Sequence, residues 1–221
     1  MLLAVDTSTA QVGLAIYDGS QVISEYAWRS SQRHTVELAP AIFESLKRCK
    51  LTMDDIQSIG VALGPGSFTS LRVGLALAKG LALSRHLPLI GIPTLDILAV
   101  AQPASKLPLL VALQAGRGRL AVGWYKNTKN GWQVKNPPRV MTVETLLDEV
   151  KRPVIFCGEL TSDERMKMAE NAEVHLVSPA QSVRRPAVLA ELAWRRWQAG
   201  QIDDEVTLAP IYLHVADPIP S

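Results

Sequence analysis

The chain has 221 residues, 48% hydrophobic and 20% charged, the balance of a globular protein with a core rather than of a disordered one. With 23 Lys and Arg against 21 Asp and Glu the net charge is +2, so no global field draws the chain to nucleic acid or anionic lipid, and any RNA contact has to be local. The longest run without Asp, Glu, Lys, Arg or His, Ile56 to Leu71, is 16 residues and holds Gly64-Pro65-Gly66, too short and too broken to span a bilayer. Met1-Leu2-Leu3-Ala4-Val5-Asp6 lacks a basic segment and does not read as a secretory signal. Cys49 and Cys157, far apart in apolar settings, read as buried free thiols, and a cytoplasmic location is expected.

In chain order, Leu2 to Thr7, Gln11 to Tyr17 and Gln21 to Trp28 read as a β-meander, with Asp18-Gly19 as a two-residue hairpin turn. A helix follows from His34 to Lys50. Its apolar positions, Val36, Leu38, Ala39, Ile42, Phe43, Leu46 and Cys49, spread over about 160° of arc, wider than the stripe of a simple surface helix. Thr52-Met53-Asp54-Asp55 reads as a capping box. Ser58 to Leu63 is a buried strand, Phe68 to Arg85 a long helix, Leu87 to Ile92 a strand and Thr94 to Ala101 the start of a helix. Ala101-Gln102-Pro103-Ala104-Ser105 is the candidate boundary, giving an N-terminal lobe of residues 1–103 and a smaller α/β lobe of residues 104–221. Beyond it, Leu107 to Leu113, Arg119 to Tyr125, Gly131 to Val140 and Val154 to Cys157 read as strands, and Thr142 to Val150 and Pro186 to Ala199 as helices. The pattern is that of a two-lobed α/β protein with mixed sheets.

The stretch from Gly64 to Ala82 is the most distinctive. Gly64-Pro65-Gly66 makes a tight exit from a strand, and Ser67, Thr69 and Ser70 can cap the next helix or meet an anion at its N-terminus. It is not a Walker loop, a dinucleotide fingerprint or a lipase-type elbow, because the Lys-Ser/Thr pair and the required glycines are missing. From Leu71 to Leu83 only Arg72 and Lys79 break an all-round apolar or small surface, while Gly74, Ala78 and Gly80 permit close approach. The earlier helix offers Glu37 and Glu44. The two helices together point to a protein–protein surface.

Leu2 to Thr9 (LLAVDTST), Arg33 to Pro40 (RHTVELAP), GPGSFTSLRVGLALAKGLA and Ala209 to Leu213 (APIYL) resemble the TsaB (YeaZ) family of bacterial tRNA threonylcarbamoyladenosine biosynthesis proteins, most specifically over residues 1 to 100. The resemblance implies an actin-like ATPase fold of the sugar kinase and heat-shock protein superfamily. It implies a non-catalytic scaffold that binds the transferase TsaD and the ATPase TsaE. Those partners move threonylcarbamoyl from its adenylate to the adenosine beside the tRNA anticodon. It also implies a homodimer in isolation, contact with tRNA only through the complex, and no membrane. The expected partner interface is Glu37, Leu38, Ala41 and Ser45 with Arg72, Val73, Ala76 and Lys79.

No catalytic residue and no metal are expected. Thr94 and Leu98 stand where TsaD-type proteins carry a His-x-x-x-His pair, and His34, His86, His175 and His214 are scattered. In Asp6-Thr7-Ser8-Thr9, Ser8 replaces the glycine of the superfamily's phosphate hairpin, so no cofactor of the chain's own is expected, and a shared subunit interface is the one place left for ATP or ADP. Asp6, Ser67 and Thr69 are the candidate nucleotide or anion contacts. Arg117, Arg119, Arg184, Arg185, Arg195 and Arg196 are candidate phosphate contacts against the simpler reading of a solvated basic face. The alternative functions are a glycoprotease-like peptidase using Ser67 and a self-sufficient actin-like ATPase.

Overall fold

A computed structural model describes residues 1–31 and 34–213. The chain divides into two compact units, Met1–Ile97 with Arg184–Ile211, and Leu98–Val183 with Tyr212 and Leu213.

The first unit is built on a five-stranded sheet in the order β3-β2-β1-β4-β5, where β1 is Leu2–Asp6, β2 Gln11–Tyr17, β3 Val22–Arg29, β4 Ser58–Gly64 and β5 Leu89–Pro93. Strand β1 is antiparallel to β2 and parallel to β4, so the sheet is mixed. Side chains alternate across a strand, which splits the apolar run of β1 between two cores. Leu3 and Val5 face one side, with Leu38, Ile42 and Leu46 of α1 (His34–Arg48) and Leu75, Ala78 and Ala82 of α2 (Phe68–Arg85). Leu2 and Ala4 face the other, with Leu189, Ala190 and Ala193 of α6 (Pro186–Gln198). Coverage of both faces is why β1 and β4 are buried at every position. The short α3 (Thr94–Val100) follows β5 directly.

The connection after β2 is four residues, Asp18 to Gln21, rather than a two-residue turn. Asp18 Oδ1 accepts the amides of Ser20 at 2.7 Å and Gln21 at 2.6 Å, and Gly19 takes φ +99°. The carboxylate closes a wider loop than Asp-Gly alone would. The capping box at Thr52 forms as expected and opens a 3-10 turn, Met53–Asp55.

The second unit carries a sheet in the order β11-β10-β6-β7-β8, with β9 also paired to β7. Its strands are β6 (Leu109–Gly116), β7 (Arg119–Thr128), β8 (Gly131–Val134), β9 (Arg139–Met141), β10 (Val154–Gly158) and β11 (Val174–Leu176), with helices α4 (Val143–Glu149) and α5 (Ser162–Glu170). Phe156, Leu110, Leu120, Leu146 and Met168 fill its core. The single strand expected from Gly131 to Val140 is split into β8 and β9, because Pro137-Pro138 has no N–H to give a ladder. Helix α5, strand β11 and the 3-10 turn Pro179–Ser182 were not expected.

Helix α6 lies on the first sheet. The boundary expected at residue 103 thus meets the chain near its first crossing, between Ile97 and Leu98, but the chain crosses back at Arg184. Cys157 is buried, and burial pushes its thiol up to about 11. Cys49 is only half-buried, beside the Ile23 carbonyl, because it ends the α1 segment.

Candidate functional site

Between α1 and α2 lies a groove of about 530 Å³ lined by His34, Thr35, Leu38, Ala39, Phe68, Thr69, Arg72, Val73, Ala76 and Leu77. Each helix turns one apolar stripe to the sheet and leaves a second outside. On α1 the outer stripe is Val36, Ala39 and Phe43, spaced i, i+3, i+7, with Val36 64% and Phe43 67% exposed. On α2 it is Phe68, Arg72 and Ala76, spaced i, i+4, i+8, with Phe68 53% exposed. The Arg72 guanidinium lies 3.7 Å from the centre of the Phe68 ring, which holds a cation at the groove wall. His34 is buried at the start of α1 with Nε2 3.2 Å from the Thr9 carbonyl.

Of the eight residues expected at a partner interface, Leu38, Arg72, Val73 and Ala76 line the groove. Glu37 accepts the Trp28 indole N–H at 3.0 Å and is half-buried. Ala41 packs against the first core, and Ser45 is 1% exposed and hydrogen-bonded to Ser24 at 2.6 Å. Lys79 donates to the Val206 carbonyl at 3.3 Å. Phe68, Val36 and Phe43 were missed as surface residues; the signal was there, since α1 holds more apolar residues than one face can bury.

Of the three candidate anion contacts, Asp6 and Ser67 are engaged by other groups of the chain, and Thr69 is exposed. Asp6 is 2% exposed; Oδ1 accepts the Ser8 amide at 2.8 Å and Oδ2 accepts Arg184 Nε at 2.7 Å. Arg184, itself 2% exposed, also donates to the Gln11 carbonyl at 2.7 Å. The β1–β2 turn and the Gly-Pro-Gly loop meet backbone to backbone: the Ser67 amide donates to Ser8 O at 2.7 Å, and a Cβ on Gly66 would lie 2.1 Å from that oxygen. The Gly64–Pro65 peptide is cis. Ser67 caps α2 through Ser70, while Thr69 is exposed on the groove. Thr94 Oγ1 bonds Ser8 Oγ at 2.7 Å and accepts the Gly64 amide at 2.9 Å, and Leu98 is fully buried. Gly74 gives the close approach expected of it, since a Cβ there would sit 2.2 Å from Thr7 Oγ1, whereas Gly80 has open space.

The arginine pairs weighed as phosphate contacts against a solvated basic face are held by the chain's own acids. Arg184 is bound to Asp6, Arg185 to Glu25, Arg195 to Glu191 and Arg196 to Asp203. Arg117 is exposed at φ +54°, and Arg119 Nε is buried without a hydrogen-bond partner among the described residues. Arg33 and His214 lie outside the described residues. Among the described residues, no helix is long and apolar enough to cross a membrane.

Comparison with known proteins gives the relatives of this arrangement. Residues 23–193 match the family described as TsaD, tRNA N6-adenosine threonylcarbamoyltransferase. The chain is 33% identical to the tRNA threonylcarbamoyladenosine biosynthesis protein TsaB of Bacillus subtilis over 222 residues, covering 98% of this chain and 95% of that protein. Among solved structures, YeaZ from Pseudomonas aeruginosa superimposes with a TM-score of 0.79 at 20% identity, covering 96% of this chain and 99% of that one. The activator of the 2-hydroxyisocaproyl-CoA dehydratase from Clostridium difficile, solved with bound ADPNP, gives a TM-score of 0.53 at 12% identity over 90% of this chain and 95% of that one. The fold is the actin-like ATPase fold, α/β with two mixed sheets. By its full-length identity to a relative of that name, the chain belongs to the TsaB family, within the wider group described by the transferase.

Proposed function

We propose that the chain is a non-catalytic subunit of the assembly that forms threonylcarbamoyladenosine on tRNA. Through the α1–α2 groove it binds the TsaD-type transferase, and in the transferase's absence a second copy of itself; the TsaE-type ATPase joins the assembly. The partners then transfer threonylcarbamoyl from its adenylate to the adenosine beside the anticodon. The observation that carries this reading is the groove itself, about 530 Å³ lined by both helices with Phe68 more than half exposed on its wall, while Val36 and Phe43 stay more than half exposed on the outer stripe of α1. A helix pair laid into such a groove buries aromatic and aliphatic anchors, the composition of an interface core. The catalytic role is left to the partner, since Asp6 is tied to Arg184 and Ser67 to its helix cap.

Light scattering coupled to size exclusion tests it, on the chain alone and mixed with its cognate transferase. A 1:1 complex formed at the expense of a homodimer is expected. Arg72→Glu with Ala76→Glu places two carboxylates on the groove wall and should weaken both associations at least about 30-fold, ~2 kcal/mol. Full association by that variant would overturn the assignment of this surface.

A further inference from the structure

The weak net charge of the chain conceals a strong segregation. From residue 97 to residue 143 there is no Asp or Glu, yet there are seven basic residues, Lys106, Arg117, Arg119, Lys126, Lys129, Lys135 and Arg139. The rest of the chain then holds 16 Lys and Arg against 21 Asp and Glu, a net charge of −5. The acid-free stretch folds into the antiparallel part of the second unit's sheet, β6 to β9.

Its outer end is the β7–β8 hairpin. Lys126 stands opposite Gln133, and the Lys135 amide donates to the Trp124 carbonyl at 2.7 Å, so Lys126 and Lys135 are diagonal neighbours on one face. Lys129 and Asn130 form the turn. The turn is fixed by Thr128 Oγ1, which donates to Gly131 O at 2.9 Å and accepts the Asn130 amide at 3.1 Å. From below, Trp132 anchors the hairpin, buried and donating to Gln102 O at 3.0 Å. Of the basic side chains on this end, Arg139 is paired with Glu149 at 2.6 Å; Lys126, Lys129 and Lys135 are exposed and form no salt bridge among the described residues. Between them stand exposed Asn127, Asn130, Gln133 and Asn136.

We infer that the β7–β8 hairpin is a docking platform for an RNA phosphodiester backbone. Three unpaired ammonium groups on a rigid hairpin supply the phosphate contacts, and the interleaved amides supply hydrogen bonds to phosphate and sugar. A lipid surface would call for apolar side chains to insert beside the lysines, and the hairpin offers only Val134 as an exposed large apolar residue. The inference rests on the reading of the chain as a tRNA-modification subunit and adds direct contact with the tRNA.

Fluorescence anisotropy of a labelled tRNA transcript with the full chain tests it. Three phosphate contacts predict an affinity that falls about 20-fold between about 50 and about 200 mM salt. The triple variant Lys126→Ala, Lys129→Ala, Lys135→Ala should lose at least about 10-fold at the lower salt and most of the salt dependence, whereas Arg195→Ala should bind as the parent does. Unchanged affinity of the triple variant would overturn the proposal. So would failure of the parent chain to bind the transcript at the lower salt, or capture by phosphatidylglycerol vesicles without binding of tRNA. Association with the transferase, measured without RNA, stays intact in the triple variant, so a loss of that association would count against the groove and not the hairpin.

Discussion

At the scale of single residues, Asp6 and Arg184 are the most consequential pair. They are 178 positions apart, both side chains are at most 3% exposed, and their contact at 2.7 Å joins the end of β1 to the residue that leads into α6. Two charges buried together cost desolvation that their attraction only roughly offsets, but one left alone is strongly destabilising. Asp6→Ala should therefore cost about 3–5 kcal/mol, read as a fall in the urea midpoint. Adding Arg184→Met, which removes the orphaned charge and keeps an apolar stem, should recover more than half of that loss. If the double variant is as unstable as the single one, the pair is not what holds this corner. Nothing in the sequence marks Arg184 as the partner of Asp6, because ion pairing across the whole chain leaves no periodicity or spacing. Ser67 was legible as a helix cap, since Ser at that position before an apolar helix has a local mechanism.

At the scale of elements, what was legible followed hydrophobic pattern and local capping. Helix α2 was readable to its ends, because Gly-Pro-Gly with Ser67 starts it and the apolar run continues until Arg85. Strand β2 was readable from its alternation. Helix α5 was not, because it is polar nearly throughout and buries only Met168; its one signal was Thr161 with Glu164, a capping box that the structure forms in both directions. The groove was half legible. Surplus apolar residues on α1 announced a surface, but whether Ser45 or Phe43 faced outward depended on how the helix is rolled on the sheet. The start of α6 is pinned to β3 by Glu25, which takes the Arg185 guanidinium and, at 3.1 Å, the Ala187 amide. Burial pushes the Glu25 carboxyl up, but the Arg185 hydrogen bond and the Ala187 amide outweigh it and hold the group below its usual range. Because the folded carboxyl ionises below its unfolded value of 4.5, the contribution is complete above that pH and is lost as pH falls through the folded value. Glu25→Gln keeps the acceptor for Ala187 and loses the charge. Its stability deficit should be present at about pH 6 and shrink by about pH 3, measured as urea midpoints at both. A deficit independent of pH would mean that the side chain acts by packing alone.

At the scale of the whole molecule, the path of the chain decides what can fold by itself. The sequence places one boundary at a Pro-containing, small-residue stretch and is silent about a second, since Arg184-Arg185-Pro186 reads only as a helix start. Yet α6 contributes Leu189, Ala190 and Ala193, all fully buried, to the core under Leu2, Ala4 and Ile90. A chain ending at residue 103 would expose that entire face of the five-stranded sheet to water, at roughly 25 cal/mol for each Å² of apolar surface uncovered. It should be insoluble or aggregate. Replacing residues 98–183 by a flexible linker of about 12 residues should restore a soluble unit, because it returns α6 to the sheet. The linker has a short gap to close: Gln102 donates to the Gln181 carbonyl at 3.0 Å, so the outgoing and returning chains run side by side there. Solubility and a cooperative thermal transition of the linked chain, against aggregation of the truncated one, are the expected pair of results. A monodisperse, cooperatively folding fragment of residues 1–103 would mean that α1 and α2 suffice to hold the sheet and that α6 is dispensable to it.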